Sequence, residues 1–475
     1  MLYLDMVKEL LSENDFCEFE KLYMNPVHKS VKIISNRGIK GNDNLHDIIE
    51  NILSGGWNIV ESNFSYMWNK YCDVEYALKK SWCTFSSLWS HWLHQAWLIY
   101  VQEMAAGLSV QVLWVQKTDI VLDMCAAPWW KTIQIADKAK FVISNEVDSW
   151  RIKALKSNLH RCGIYNVWVI QNDWVKIGDM FPEKFDKVLV DAPCSWEWMQ
   201  YKSDKKVWQW DESKSRKLAE LQIQLVLSWF DALKVWWELV YSTCTTNPIE
   251  NEYVVSEVKK KCWDDIELIE VPLDQKSKWV SIWRWNNLLS EIDACKVARL
   301  WPHIHQTGWF FIAKFRKKWL YKKEENKLIS TQEDDLCVKA KEFLFKWWIE
   351  LPKDIWMCLS KYTVNITHKQ FISEFGGNNY KNMELWLPIF KVVDDARNNS
   401  KKLVPLVWLS QVFWNITKNC VIDVNDEQLK IIMEKMDLVD NRFEQFEGSY
   451  VVIRWNEIGV WLVSVQRGIW KNKTF

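Results

Sequence analysis

Short apolar runs alternate with longer amphipathic stretches from about residue 113 to residue 315. The runs have the length of strands, and the stretch over 213–233 has helical spacing, with Leu218, Leu221 and Leu225 on one face. This alternation is typical of a doubly wound α/β domain, which we expect to be built on a single parallel sheet. Strands are predicted over 120–124, 141–145, 167–171, 187–191, 239–242 and 310–315.

The segments on either side of this region have a different character. The N-terminal segment predicts a helix over 6–20 and an extended stretch over 31–35. A charged stretch after residue 316 has the composition of a linker, and β-like runs over 448–453 and 459–464 follow it. The chain is therefore predicted to divide into 1–112, 113–316, 317–337 and 338–475.

Polar and thiol side chains follow five consecutive predicted strands. In an open α/β sheet the ligand lies beyond the carboxyl ends of the strands, where these residues would meet. Glu146 comes 23 residues after Asp123, the distance at which an acid commonly reaches ribose hydroxyls. One acid at a strand end is usually a turn or cap residue, but five such ends in a row indicate a site. The residues are Asp123 and Cys125, Asn145 and Glu146, Asn172 and Asp173, Asp191 and Cys194, and Ser242 and Cys244.

Among these residues, Cys194 and Cys244 give the most specific indication of a reaction type. Each cysteine taken singly is usually a small buried hydrophobic residue. Both, however, follow a predicted strand within turn-forming sequence, so they are expected at the same edge of the sheet. A thiolate with a second thiol and a carboxylate nearby suits covalent attack on an electrophilic ring such as a pyrimidine.

The composition contains 35 tryptophans but 13 glycines, whereas average usage would give roughly 33 glycines in a chain of this length. Tryptophan stands at 129 and 130, between a predicted strand and helix, where glycine lets backbone N–H groups approach an anionic ligand. Our hypothesis is that a stop-type codon read as glycine has been rendered as tryptophan at many positions. The alternative is a genuinely Trp-rich protein, and ordinary UGG codons at Trp129, Trp130, Trp236 and Trp237 would establish it. Trp210 and Trp301 are expected to be genuine.

Charge and cysteine usage narrow the class of protein. The 61 basic residues balance the 61 acidic ones, so the net charge of the chain does not by itself indicate a nucleic-acid partner. Twelve cysteines without a Cys-x-x-Cys pair indicate reduced thiols in a cytoplasmic protein, and neither a signal peptide nor a membrane span is predicted. The His91–His94 and His303–His305 pairs lack a cysteine or acidic ligand set, so no metal is expected.

Three motifs in order resemble the signatures of the NOL1/NOP2/Sun family of S-adenosylmethionine-dependent RNA cytosine-C5 methyltransferases. They are DMCAAPWWKT at 123–132, DAPCSWEWM at 191–199 and YSTCTTNPIENE at 241–252, with tryptophan where the family has glycine. The resemblance covers 16–315 closely and the remainder loosely. The C-terminal segment around Gly459 and Lys471 resembles the PUA-like RNA-binding domain that ends the bacterial small-subunit rRNA methyltransferase F group.

This resemblance implies a Rossmann-like class I methyltransferase fold, with a small RNA-binding-type N-terminal subdomain and a PUA-like C-terminal domain. It implies that Glu146 holds the ribose hydroxyls of S-adenosylmethionine, Asp173 lies at the adenine, and Asp191 lies near the methyl-donor end and the target base. The residues of the implied cofactor loop are Cys125, Ala126, Ala127, Pro128, Trp129, Trp130 and Lys131.

The two strand-end cysteines also receive roles from the resemblance. Cys244 matches the nucleophile that adds to C6 of cytosine, and Cys194 matches the residue that removes the C5 proton and releases the product. The expected substrate is RNA, with small-subunit rRNA favoured over tRNA, and the protein is expected to act as a monomer. A catalytically silent RNA-binding ribosome-assembly factor of the same fold is the alternative from another class.

Overall fold

The computed structural model has three regions of regular structure, which follow one another along the chain. The residues that it describes are 3–23, 29–33, 58–60, 76–79, 94, 98–102, 104–126, 130–195, 210–273, 280–284, 286–305, 307–318, 335–347, 349, 351–360, 362–369, 383–384, 387–395, 400–406, 409, 413, 420–433, 440–446, 449–456, 458–466 and 469–471.

The N-terminal region begins with two helices, α1 (Tyr3–Lys8) and α2 (Glu13–Tyr23), where one helix over 6–20 was predicted. The prediction was wrong because Ser12 caps a new helix: its hydroxyl accepts from the Asp15 amide and donates to the Asp15 carboxylate. A four-stranded antiparallel sheet follows, in the order β2-β3-β1-β4. Its strands are β1 (Lys29–Ile33), β2 (Asn58–Val60), β3 (Tyr76–Lys79) and β4 (Ile99–Gln102).

The central region alternates strands and helices as predicted. In chain order these are α3 (Met104–Leu113), β5 (Ile120–Asp123), α4 (Trp130–Ala136), β6 (Phe141–Asn145), α5 (Ser149–Arg161), β7 (Val167–Ile170), α6 (Ile177–Met180), β8 (Phe185–Asp191), α7 (Glu212–Ala232), β9 (Leu233–Thr243), α8 (Glu252–Cys262), β10 (Ile266–Ile269), β11 (Ile282–Trp283), β12 (Asn286–Asn287), α9 (Glu291–Ala294), β13 (Ala298–Leu300), α10 (Pro302–His305) and β14 (Phe310–Lys317).

The main sheet has the strand order β10-β14-β9-β8-β5-β6-β7. Strands β5 to β9 are parallel, but β14 runs antiparallel to both β9 and β10. The expectation of a single parallel sheet was therefore wrong at this edge. An antiparallel strand that is buried on both faces has the same unbroken apolar run as a parallel one, so the sequence pattern does not reveal its direction.

The sheet is covered on both faces, which explains why its strands read as continuous apolar runs. Leu122, Ile143 and Val188 pack on the face that also receives α7 and α8. Their neighbours Val121 and Val142 point to the opposite face, against α3, α4 and α5. Tyr3 and Phe19 of the N-terminal helices join the first of these cores, so α1 and α2 pack on the same body as the sheet.

The C-terminal region contains two four-stranded sheets, ordered β15-β16-β18-β19 and β20-β21-β22-β23. The predicted runs over 448–453 and 459–464 are confirmed as strands from residue 450 and residue 458 onward. The elements are α11 (Asp335–Lys346), β15 (Ile355–Ser360), β16 (Thr363–His368), β17 (Met383–Glu384), β18 (Leu387–Asp395), β19 (Ser400–Pro405), β20 (Val421–Asp423), α12 (Asp426–Met433), β21 (Tyr450–Trp455), β22 (Ile458–Gln466) and β23 (Ile469–Lys471).

Two contacts join the C-terminal region to the free edge of the main sheet. Strand β17 pairs antiparallel with β7, and the Trp168 indole N–H donates a 2.9 Å hydrogen bond to Thr367 Oγ1. Most of the predicted linker, 319–334, lies outside the described residues. The four domain boundaries stay a prediction. Among the described helices, none combines the length and the apolar character needed to span a membrane.

Candidate active site

The carboxyl ends of β5, β6, β8 and β9 bring the predicted site residues to one edge of the sheet. The loops leaving these strands are tied to neighbouring strands by backbone hydrogen bonds. The Met124 amide donates to the Leu189 carbonyl, the Ala126 amide to the Asn145 carbonyl, and the Ala192 amide to the Ser242 carbonyl. The strand-end residues therefore lie side by side, as the sequence predicted.

Glu146 follows β6 and is completely buried. Its Oε1 atom accepts hydrogen bonds from the amides of Val147 and Asp148, at 3.0 and 3.1 Å. Its Oε2 atom receives no hydrogen bond from any described residue, and Arg151 Nη1 lies 3.4 Å away. A buried carboxylate oxygen that lacks a donor is suited to accept from a ligand hydroxyl. This fits the ribose role that the resemblance implies.

Asp123 ends β5 and fixes the base of the predicted cofactor loop. Its Oδ2 atom accepts a 2.6 Å hydrogen bond from Thr132 Oγ1 at the start of α4. Burial raises the pKa of the Asp123 carboxyl to about 7, although the Thr132 hydroxyl and Lys131 oppose the shift. Its Oδ1 atom is buried and has no hydrogen-bond partner in the described part of the chain.

Lys131 and Asp191 form an ion pair that links the cofactor loop to the end of β8. The Lys131 ammonium also lies over the Phe310 ring, 5.2 Å from its centre. On the other side, Ser242 Oγ donates a 2.9 Å hydrogen bond to Asp191 Oδ1. Asp191 is thus held by two neighbours, while its side chain keeps 27% of its surface exposed toward solvent.

The remaining residues of the predicted loop divide into three groups. Cys125 is half-buried, and burial together with Asp191 and Glu146 raises the pKa of its thiol well above the ordinary value. Ala126 is buried, and Trp130 is half-buried against the core below α3 and α4. Ala127, Pro128 and Trp129 lie outside the described residues, as do Trp196 and Trp198.

Asp173 lies beyond β7 and is exposed. It caps a short 3-10 turn, with its Oδ1 atom accepting from the Val175 amide at 3.1 Å. Nearby, two hydrogen bonds join Asn145 to Asn172. Asn145 Nδ2 donates to the Asn172 backbone carbonyl, and Asn145 Oδ1 accepts from the Asn172 backbone amide. The adenine role of Asp173 stays a prediction.

Cys194 and Cys244 meet at the centre of the site. Their Sγ atoms are 3.1 Å apart, and the two cysteines are present as thiols and not as a disulfide. Asp191 and Ser242 are register partners on the parallel strands β8 and β9, so the loops that follow leave the sheet side by side. The strand register therefore brings together two cysteines that are 50 residues apart in sequence.

Several buried polar residues around the thiols were missed by the sequence reasoning. Glu250 and Gln222 bond to the loop that carries Cys194. Arg299 forms a buried ion pair with Glu252 at 2.6 Å. Glu250 and Glu252 lie in the motif over 241–252, which could have drawn attention to them, and a polar residue at an interior position of a predicted helix is a weak signal for Gln222. In the described residues, no group of three or more His, Cys, Asp or Glu side chains is placed to hold a metal ion.

A profile of the family described as 16S rRNA methyltransferase RsmB/F matches residues 110–316, the segment that carries this site. Residues 110–316 are therefore similar to the methyltransferase domain that this profile describes. The implied cofactor of such a domain is S-adenosylmethionine.

Curated relatives carry the name ribosomal RNA small subunit methyltransferase F. The protein from Photobacterium profundum is 29% identical over 321 residues, which cover 66% of this chain and 63% of the relative. The protein from Vibrio cholerae is 33% identical over 285 residues, which cover 56% of this chain and 57% of the relative. The chain thus matches less than two thirds of the length of these relatives.

Solved structures from Pyrococcus horikoshii share the fold. A methyltransferase homologue protein is 25% identical with a TM-score of 0.53, over 66% of this chain and 93% of that chain. NSun6 is 20% identical with a TM-score of 0.50, over 66% of this chain and 97% of that chain. These matches agree with the predicted Rossmann-like methyltransferase architecture.

Proposed function

We propose that this protein transfers a methyl group from S-adenosylmethionine to C5 of a cytosine in RNA, with small-subunit rRNA the favoured substrate. The observation that carries the proposal is the contact between Cys194 Sγ and Cys244 Sγ, 3.1 Å apart beside Asp191. Direct methylation of cytosine C5 is slow because this carbon is a weak nucleophile. Temporary addition of a thiolate supplies the missing electron density.

The residues around the cofactor loop fit S-adenosylmethionine. The Oε2 atom of Glu146, which receives no hydrogen bond from a described residue, would accept from a ribose hydroxyl, and Asp173 would lie at the adenine. Residues 125–131 would lie under the methionine and ribose parts, with Lys131 held in place by Asp191. When bound, the cofactor supplies an electrophilic methyl group on a sulfonium.

Two thiols divide the chemistry of the target base between them. The Cys244 thiolate forms a bond to C6, and the electron pair displaced from the C5–C6 double bond makes C5 nucleophilic toward the methyl group. After C5 has been methylated, Cys194 accepts the C5 proton, and the bond between Cys244 and C6 breaks to restore the ring. Asp191 would contact the target base, which must leave its stack to be attacked from its face.

The experiment uses a chain with glycine in place of tryptophan at 129, 130, 196, 198, 236 and 237 (the glycine-restored chain), labelled cofactor, and rRNA and tRNA offered separately. We expect transfer to rRNA, and we expect Cys244→Ala to abolish it while Cys295→Ala, a substitution of a half-buried cysteine outside the site, leaves it intact. Activity that survives in Cys244→Ala would overturn the assignment. Transfer to tRNA alone would favour the tRNA alternative, and transfer to neither RNA would favour the silent assembly factor.

The flanking regions would supply RNA contacts. We propose RNA-binding roles for 1–112 and for the PUA-like segment 338–475, in a monomer that acts in the cytoplasm. Equilibrium binding of the rRNA substrate to the full chain and to a chain ending at residue 316 measures the C-terminal contribution. Equal affinities for the two chains would remove that part of the proposal.

A further inference from the structure

The loops that carry Cys194 and Cys244 are tied together by one buried carboxylate, that of Glu250. We propose that Glu250 is a positioning residue that holds the two thiols in contact. The inference about geometry stands on the contacts below, whereas its consequence for catalysis rests on the proposed function.

The first set of contacts joins Glu250 to the Cys194 loop. Glu250 Oε2 accepts a 2.9 Å hydrogen bond from the backbone amide of Ser195, the residue directly after Cys194. The same oxygen accepts from Gln222 Nε2 at 3.1 Å, and this amide also donates to the Pro193 carbonyl at 2.9 Å. The residues before and after Cys194 are therefore both held by the Glu250–Gln222 pair.

The second set of contacts fixes Glu250 within the loop that follows Cys244. Its Oε1 atom accepts from Asn247 Nδ2 at 3.3 Å, and its carbonyl accepts a 2.6 Å hydrogen bond from the Tyr241 hydroxyl. Ser195 Oγ and Thr245 Oγ1 lie 3.3 Å apart and add a direct link between the loops. Glu250 thus lies in the loop that follows Cys244 and accepts a hydrogen bond from the loop that carries Cys194.

Burial makes the hydrogen bonds of the Glu250 carboxylate energetically significant. Glu250 and Gln222 are completely buried, and hydrogen bonds to a charged acceptor are about twice as strong as neutral ones. Removing the carboxylate takes away the acceptor that the Ser195 backbone amide uses and one of the two acceptors of Gln222 Nε2, in a place that water does not reach. The Cys194 loop is then free to move away from Cys244, while Cys244 keeps its position at the end of β9.

The geometry is tested by oxidation of the full chain in glutathione redox buffers. Oxidised glutathione takes two electrons from the two thiols, which become a disulfide, and is reduced to two molecules of glutathione. The equilibrium constant for the Cys194–Cys244 disulfide, read by peptide mass spectrometry, reports how closely the thiols are held. We expect Glu250→Ala to lower this constant by about tenfold, the effect of one lost charged hydrogen bond, and Glu250→Gln to restore most of it.

A matched control comes from Glu252, which is equally buried two residues later but pairs with Arg299 instead of the Cys194 loop. We expect Glu252→Gln to leave the disulfide constant unchanged even where it lowers thermal stability. If Glu250→Ala does not fold, Gln222→Met removes the bridging amide at similar volume and is expected to lower the constant several-fold. A folded Glu250→Ala or Gln222→Met variant with the wild-type constant would overturn the inference.

The consequence for catalysis needs a second readout, in the glycine-restored chain. Addition to C6 requires Cys244, but release requires that Cys194 reach the C5 proton. We therefore expect Glu250→Ala to lower kcat about tenfold or more with little change in KM for the cofactor, and to accumulate the covalent RNA adduct. A merely structural role would lower turnover and adduct together. If the unaltered chain methylates no RNA, the proposed function fails, but the oxidation result still decides the role of Glu250.

Discussion

The Ser242 hydroxyl donates a 2.9 Å hydrogen bond to the Asp191 carboxylate, its register partner on the neighbouring parallel strand. This bond and the Lys131 ion pair orient the carboxylate that ends β8. The pairing of these strands also sets where the two cysteine loops begin. One side-chain contact thus joins the strand register to the candidate chemistry.

Replacing Ser242 with alanine tests the orientation of Asp191. We expect Ser242→Ala in the glycine-restored chain to lower kcat about tenfold, because the carboxylate loses one of two partners. Ser144→Ala is the matched control: Ser144 is a buried serine near the end of β6 whose hydroxyl has no partner among the described residues. Steady-state methyl transfer by the two variants checks this. Equal activities would show that the hydrogen bond does not orient Asp191.

Asp123 predicts a pH dependence of stability. Its pKa is about 7 in the folded protein against an ordinary value of 3.8, so the folded state retains a proton that the unfolded state has lost. The Asp123 contribution to the free energy of unfolding therefore decreases as pH rises from about 4 to about 7 and is constant above that. Urea unfolding of the cofactor-free protein across this range measures the effect. The decrease should be smaller in Asp123→Asn; an unchanged profile would contradict the assignment.

The backbone supports the glycine hypothesis at two tryptophans. Trp236, in the irregular first half of β9, has φ of 68°, and Trp114, directly after α3, has φ of 52°. The Trp236 side chain is 67% exposed, so little packing offsets the strain of this left-handed region there, and Trp114 is 40% exposed. We expect Trp236→Gly and Trp114→Gly each to stabilise the protein by about 1 kcal/mol.

A third exposed tryptophan provides the control for this prediction. Trp150 lies in the first turn of α5 and is 77% exposed, but its backbone is helical. Trp150→Gly should therefore destabilise the protein by about 1 kcal/mol, because glycine is a poor helix former. Chemical denaturation of the three variants measures whether each substitution raises or lowers the free energy of unfolding. Destabilisation by glycine at 114 and 236 as well would count against the hypothesis.

The motif tryptophans lead to a prediction about the cofactor. Indoles in the cofactor and cysteine loops are expected to fill the cleft and to strain turns that suit glycine. We expect the chain with tryptophan at these positions to bind S-adenosylmethionine poorly, as measured by calorimetry, and the glycine-restored chain to bind it well. Equal affinity would refute this reasoning. The six positions to restore are 129, 130, 196, 198, 236 and 237.

The sequence predicted the strand ends well because their chemistry follows from local order along the chain. A cysteine or acid that follows a buried run must lie at the carboxyl edge of the sheet, so Asp191, Cys194 and Cys244 could be placed together. Glu250 stands in the same motif as Cys244, but the sequence does not connect it to the loop that carries Cys194. Its partners Ser195 and Gln222 lie 55 and 28 residues away, and only the packed structure brings them within hydrogen-bond distance.

Other features depended on contacts that a hydrophobic pattern does not encode. The direction of β14 is set by its pairing with β9 and β10, while its apolar run looks the same in either direction. The break between α1 and α2 could have been read from Ser12 and Asp15, which form a cap that the apolar spacing over 6–20 conceals. The pairing of β17 with β7 joins residues more than 200 positions apart.

The most direct measurement is to trap the covalent protein–RNA adduct of the glycine-restored Cys194→Ala variant and to locate the modified residue by mass spectrometry. We expect the RNA to be attached through the sulfur of Cys244, the base to carry the new methyl group, and the adduct to form only when cofactor is present for methylation. An adduct at another residue, or active Cys194→Ala enzyme that turns over without accumulating any adduct, would contradict this expectation.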